Sequence, residues 1–80
     1  MSIGIYKTDT IAIRKIMAER NIRTILELSQ RSGIGRNTLA KVLNGEIQPS
    51  SDTMEKLVFA LDIPPERAGT IFFNQSLLEE

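Results

Sequence analysis

Cysteine and histidine are both absent from the 80 residues of the chain. Their absence excludes disulfide bonds, the common zinc sites and every catalytic triad that needs an imidazole. The carboxylates, lysines and hydroxyls that remain form no nucleophile–base pair, and no glycine-rich phosphate loop is present. The sequence therefore predicts a protein that is not an enzyme, with no cofactor and no metal site.

Long apolar runs are also missing. The longest fully apolar run spans only residues 57–61, whereas a membrane-spanning helix needs about 20 residues. The first residues lack the basic stretch and apolar segment of a signal peptide. We therefore expect no membrane contact and a cytoplasmic location.

Neither sign of charge is in excess, since ten basic residues balance ten acidic ones. The distribution is nevertheless uneven. Residues 1–48 carry eight Lys or Arg and four Asp or Glu, whereas residues 49–80 carry two and six. A basic half can meet phosphate groups, but an ordinary mixed surface explains the same composition equally well. Charge alone leaves nucleic-acid binding open.

The apolar residues recur with a helical period along the whole chain, and no convincing run alternates with the period of a strand. A chain of this length buries only about 60% of the surface that its unfolded form exposes, so one core must stabilise it. We predict an all-α fold of five short helices in a single domain, residues 1–80. Residues 1–7 are expected to form an N-terminal arm, and residues 74–80 a loosely held tail.

Polar and proline residues predict where several helices begin. The first helix is expected to start after Thr8 or Asp9, and the fourth after Ser50 or Ser51. Pro65 suits the first position of the fifth helix, where its missing N–H has no cost. Because these signals are local, the fold prediction is most precise for the residues at which helices begin.

The segment between residues 24 and 45 has the spacing of a helix-turn-helix. Thr24 and Glu27 form a capping box that starts the second helix, and Gly33 ends it in a left-handed conformation. Gly35 begins a third helix, which Gly45 stops. Only about three residues separate the two helices. We expect Gly33 and Gly35 to bend the chain so that the third helix projects with its polar side outward.

The predicted third helix has an apolar and a polar side. Leu39 and Val42 are expected to seat it on the core. A helix of this kind fits the major groove of B-DNA, and its first turn reaches the base edges. The alternative is a solvated helix face with no ligand. The predicted outward residues are Arg36, Asn37, Ala40, Lys41 and Asn44.

Three short motifs carry a resemblance to a known family. Gly-Ile-Gly-Arg-Asn-Thr-Leu at 33–39, Leu-Asn-Gly at 43–45 and Gln-Pro at 48–49 together resemble the Cro/CI-type (XRE) helix-turn-helix family of phage and bacterial regulators. The resemblance covers about residues 10–66 and is strongest to small phage-encoded Cro-like proteins and repressor modulators. It implies a lambda-repressor-like domain in a bacterial host cell, with its helix-turn-helix at the second and third helices, that binds double-stranded operator DNA in a sequence-specific manner.

The resemblance also implies which side chains contact DNA. Base contacts are expected from Arg36, Asn37 and Lys41, because Arg or Lys pairs well with guanine and Asn with adenine. Asn44 is expected to contact a DNA phosphate. Its position at the end of the third helix is explained equally well by a role as the helix C-cap. Thr38 and Ala40 on the third helix are further predicted DNA contacts. Arg23, near the start of the second helix, is a candidate for a phosphate contact, with plain surface charge as the alternative.

Two positions depart from the family pattern. Ile25 stands where the family often has Gln, and Leu43 where it often has Glu. Together with Leu26 they predict an apolar surface near the DNA-binding side, which is typical of a protein contact. The alternative function is therefore a modulator that binds a partner repressor and alters its DNA binding. A homodimer, with Phe73 at its contact, is a further hypothesis.

Overall fold

The computed structural model describes residues 6–75 of the chain. In this part five helices follow one another, α1 (Thr10–Glu19), α2 (Ile25–Ser32), α3 (Arg36–Leu43), α4 (Ser51–Leu61) and α5 (Pro65–Phe72). The all-α fold of five helices predicted from the periodicity is confirmed. Most of the predicted arm, 1–7, and most of the predicted tail, 74–80, lie outside the described residues.

Local capping chemistry sets the helix starts. The Asp9 side chain accepts a hydrogen bond from a backbone N–H in the first turn of α1, and the Ser50 side chain does the same for α4. These are Ncap interactions, which satisfy N–H groups that have no partner inside the helix. Thr8, the other candidate for the Ncap of α1, is buried and does not cap the helix. Pro65 occupies the first position of α5, as predicted.

The core takes apolar side chains from every helix and from the connections between them. Ile13 on α1, Leu28 on α2 and Leu57 on α4 have no exposed surface. Ile22 and Ile34, which lie between helices, are also buried. The other buried apolar side chains of the described part are Ile16, Met17, Leu39, Val42, Leu43, Leu61, Ile63, Ile71 and Phe72.

The helices pack so that α3 lies at one side of the fold. It packs against α1 and α2 but has no substantial contact with α4 or α5. On the other side, α5 packs against α1 and α4. One face of α3 is therefore free, and the α4–α5 pair lies away from it.

The two ends of the described chain are tied to each other and to the α3–α4 connection. Lys7 and Asn74 form an antiparallel bridge, with the Asn74 N–H 3.0 Å from the Lys7 carbonyl oxygen. The Gln48 amide accepts a hydrogen bond from the Thr8 hydroxyl at 2.9 Å and donates one to the Phe72 carbonyl. Asn74, the first residue of the predicted tail, is thus bound to Lys7, and the tail as a whole stays a prediction.

Candidate nucleic-acid interface

The start of α2 is fixed by side chains on either side of it. The Thr24 hydroxyl accepts a hydrogen bond from the Glu27 N–H at 3.0 Å, which is the first half of the predicted capping box. The Glu27 carboxylate reaches back to the N–H of Arg23 at 2.7 Å, one residue before the partner that a capping box would use. Two backbone donors at this helix end are thus satisfied within the chain.

One glycine makes the turn between α2 and α3. Gly33 has a φ of 78°, a left-handed conformation that most residues avoid, and its N–H donates to the Ser29 carbonyl. Gly35 has a φ of −62° and a ψ of 148°, which any residue adopts. The predicted bending role of Gly35 is therefore wrong; Gly35 is the Ncap of α3 and has no side chain to cap it.

Two serines of α2 hold the turn to the helix. The Ser29 hydroxyl donates to the Ile34 carbonyl oxygen at 2.6 Å, and the Ser32 hydroxyl accepts from the Ile34 N–H at 3.2 Å. Both backbone groups of this buried turn residue are therefore satisfied. Sequence reasoning missed both hydrogen bonds. Ser32 directly before the turn glycine, with Ser29 one turn earlier, is the local signal of such bonds.

The α3 helix presents a polar surface to solvent. Leu39 and Val42 are fully buried, as predicted, while Arg36, Asn37 and Lys41 are exposed. Asn37 and Lys41 are four residues apart and lie on one face of the helix, and Arg36 is exposed in the first turn beside Asn37. The helix carries two basic residues and no acidic one. This face therefore offers positive charge and hydrogen-bond donors together.

The other predicted DNA contacts lie around this face. Asn44 is exposed and is the C-cap of α3, where its backbone N–H bonds to the helix. Thr38 and Ala40 are partly buried at the margins, and Arg23 is exposed just before the cap of α2. The structure thus groups Arg36, Asn37, Lys41 and Asn44, and leaves Arg23 on a different element.

Residues 12–66 of the chain match the Cro/C1-type HTH DNA-binding domain family. The chain belongs to this family. The match covers most of the described helices, including both helices of the helix-turn-helix, and it confirms the family that the motifs indicated. The Cro/C1-type HTH family is a DNA-binding family and not an enzymatic one. Searches of curated proteins and of solved structures found no significant match.

The HTH domain does not have the three-residue apolar surface that the sequence predicted. Leu43 is only 2% exposed and belongs to the core, so the prediction that it is exposed is wrong. The reason is helical periodicity, because Leu43 follows Leu39 by four residues and lies on the same buried face. Ile25 is partly buried against the core, and Leu26 alone of the three is exposed, at 47%.

Arg14, an exposed residue of α1, supports α3, which is the recognition helix of the HTH domain. Arg14, on α1, donates a hydrogen bond from its guanidinium to the carbonyl oxygen of Leu43, the last residue of α3. No sequence signal predicts this contact, because the two residues are 29 positions apart. Arg14 therefore fixes the far end of α3.

Two further features, a membrane-spanning helix and a metal-binding cluster, are absent from the part of the HTH chain that the structure describes. No helix within residues 6–75 is long and apolar enough to cross a membrane. The same residues contain no group of three or more acidic side chains that could hold a metal ion.

Proposed function

We propose that the protein is a transcriptional regulator of the phage Cro and repressor type, which binds operator DNA in a sequence-specific manner. It acts in the cytoplasm of a bacterial host cell. One observation carries the proposal: α3 exposes the polar side chains of Arg36, Asn37 and Lys41 to solvent, while its apolar side chains Leu39, Val42 and Leu43 are buried. The family match to a DNA-binding domain supports it.

In this proposal α3 lies in the major groove with its first turn against the bases. Arg36 donates two hydrogen bonds to a guanine, and Asn37 pairs with the donor and acceptor of an adenine. Lys41, one turn later, reaches a neighbouring base. Thr38 and Ala40 lie at the margins of the contact, and the Ala40 methyl is suited to a thymine methyl group.

Phosphate contacts position the helix but carry no sequence information. We assign Asn44 and Arg23 to this task, since both are exposed and lie at the ends of the helix-turn-helix. The Glu27 carboxylate already bonds the Arg23 N–H at the start of α2. The guanidinium of Arg23, rather than the helix end, therefore supplies the positive charge for phosphate.

Two copies are needed for a full operator. A helix of eight residues reads only a few base pairs, and regulators with this motif use two half-sites about 34 Å apart, one helical turn of DNA. We therefore propose that the protein binds DNA as a homodimer on a two-fold related pair of half-sites.

The alternative function is a modulator that binds a partner repressor, and the burial of Leu43 removes the main observation in its favour. It depended on an apolar surface of Ile25, Leu26 and Leu43, and Leu43 is buried. A single exposed leucine is common on protein surfaces and does not indicate a docking site. DNA binding is therefore the function that we propose.

Selection from a pool of random duplex DNA tests the proposal. We expect the protein to enrich one motif with two related halves. Fluorescence anisotropy at fixed salt should then show binding of the selected duplex at least about a thousandfold tighter than binding of a scrambled one. Equal affinity for the selected and scrambled duplexes would rule out sequence-specific regulation.

A further inference from the structure

An asparagine stands directly before a glycine at the C-terminal end of α3, at Asn44 and Gly45. The backbone nitrogen of a following residue can attack the side-chain amide carbon of asparagine, which contributes to the thermal lability of this residue. Glycine hinders the attack least, because it has no side chain. The other asparagines of the described part precede isoleucine, threonine and glutamine, at Asn21, Asn37 and Asn74. Asn44 is therefore the asparagine at which this reaction meets the least hindrance.

The folded helix end holds the pair away from the reaction. The Gly45 N–H donates to the Val42 carbonyl oxygen at 3.1 Å, and the Glu46 N–H donates to the Lys41 carbonyl oxygen at 2.8 Å. With Gly45 in a left-handed conformation (φ 75°), these bonds form a Schellman motif. The nitrogen that would attack is thus turned back into the helix. It can reach the Asn44 side chain only after its bond to Val42 breaks.

A side chain from α1 stabilises the same helix end. The Arg14 guanidinium donates a hydrogen bond to the Leu43 carbonyl oxygen, directly before Asn44. Helix ends open by local fraying, which costs less free energy than unfolding of the whole domain. Asn44 and Gly45 are both exposed, so the pair is in contact with water when the end frays. Arg14 therefore restrains the opening that the reaction needs.

We propose that Asn44 deamidates through a cyclic imide formed with Gly45, at a rate set by the opening of the α3 C-cap. The Gly45 nitrogen bonds to the side-chain amide carbon of Asn44, and the bond from that carbon to the amide nitrogen breaks. Ammonia leaves with the proton of the Gly45 N–H. Water then opens the imide at either carbonyl carbon, which leaves an aspartate or an isoaspartate. The reaction needs no oxidant or reductant.

The product carries a negative charge where the proposed function has a phosphate contact. The neutral amide of Asn44 can donate a hydrogen bond to a phosphate oxygen, whereas a carboxylate only accepts and is repelled by the phosphate charge. This consequence rests on the proposed function, although the reaction itself does not. DNA that covers Asn44 also keeps the cap closed. Unbound copies of the protein therefore lose their DNA affinity first.

Peptide mapping by mass spectrometry, during incubation at fixed pH and temperature without DNA, tests the reaction. We expect Asn44 to convert to the acid while Asn21 and Asn37 stay largely intact. In urea, where the cap is lost, Asn44 should convert faster than in the folded protein. Equal rates at the three asparagines would overturn the assigned site, and equal rates in folded and unfolded protein would overturn control by the cap.

Arg14→Met tests the role of the cap in the folded protein. We expect it to raise the rate at Asn44 about fivefold, because the helix end opens more often without the bond to Leu43. Lys15→Met, at the adjacent exposed position, is the matched control and should leave the rate unchanged. Thermal unfolding checks that both variants are folded at the incubation temperature. An unchanged rate for Arg14→Met overturns the proposed restraint.

DNA affinity tests the consequence of the reaction. Asn44→Asp should bind the selected duplex at least about tenfold more weakly than the wild type, since like charges meet at the contact. Asn44→Ser adds no charge and should bind clearly more tightly than Asn44→Asp. Excess duplex should slow the conversion of Asn44. Equal affinities of the two variants, or an unchanged conversion rate with duplex, would overturn the link to DNA binding.

Failure of this inference and failure of the proposed function give different results. A protein that binds its selected duplex and keeps Asn44 intact retains the function without the reaction. A protein without base preference whose Asn44 converts faster in Arg14→Met retains the reaction without the function.

Discussion

The Arg14 guanidinium lies 3.2 Å from the carbonyl oxygen of Leu43 and joins α1 to the end of the recognition helix. The last carbonyl groups of a helix have no partner within it, and a cation near them also opposes the negative end of the helix dipole. Arg14 does both for α3. A side chain outside the helix-turn-helix motif therefore helps to hold the recognition helix in place.

Replacing Arg14 with methionine keeps the apolar stem and removes the hydrogen bond. We expect Arg14→Met to lower the free energy of unfolding by about 1 kcal/mol, since the bond is charge-assisted but partly exposed to water. Urea denaturation followed by circular dichroism measures the loss. Lys15→Met, at the adjacent exposed position, is the control and should change stability by less than about 0.5 kcal/mol. Equal effects of the two substitutions would contradict the assigned role of Arg14.

The predictable part of this fold is the part that local chemistry decides. The caps at Asp9, Thr24 and Ser50 and the left-handed Gly33 are all determined by residues within a turn or two, and each lies where a local pattern indicated. Leu43 is the exception: the family's usual residue at this position predicts exposure, whereas the spacing of four residues from Leu39 indicates the burial that is found.

The contacts that join distant segments were not predictable. The Gln48 amide bonds residues 40 and 24 positions away, at Thr8 and Phe72. Arg14 and Leu43 are likewise far apart in sequence. Such contacts depend on how the helices pack, which hydrophobic periodicity does not encode.

Leu43 is expected to matter for stability and not for a partner contact. Because it is fully packed in the core, Leu43→Ala should cost about 2–5 kcal/mol, the range for a buried leucine. Thermal unfolding measures the loss. Leu26→Ala is the matched control at an exposed leucine and should cost no more than about 1 kcal/mol. A Leu43→Ala protein as stable as Leu26→Ala would place Leu43 outside the core.

The two glycines of the turn should respond in opposite ways to the same change. Gly33→Ser forces a side chain into the left-handed conformation and should destabilise the protein by about 1–2 kcal/mol. Gly35→Ser adds a capping hydroxyl to α3 at a position with open space, and should stabilise it by about 0.5 kcal/mol. Chemical denaturation of both variants provides the comparison. Destabilisation by both would show that Gly35 also needs the freedom of glycine.

Arg23 is assigned to a phosphate, which predicts a specific dependence on salt. Arg23→Gln should weaken binding to selected and scrambled duplexes by a similar factor, and should reduce the slope of log K against log salt by about one. Anisotropy titrations between about 50 and 200 mM salt measure that slope. Arg67→Gln, an exposed arginine on α5, should leave the slope unchanged. A change in base preference for Arg23→Gln would instead indicate a base contact.

The central claim is that the exposed face of α3 reads bases, and Arg36→Ala tests it most directly. Selection from random duplexes should be repeated with this variant and with Arg67→Ala, which removes the same charge from α5, a helix that makes no substantial contact with α3. We predict that Arg36→Ala loses about 1–3 kcal/mol of affinity and the preference at one base pair in each half-site, while Arg67→Ala keeps the wild-type motif. An unchanged motif for Arg36→Ala would contradict the claim.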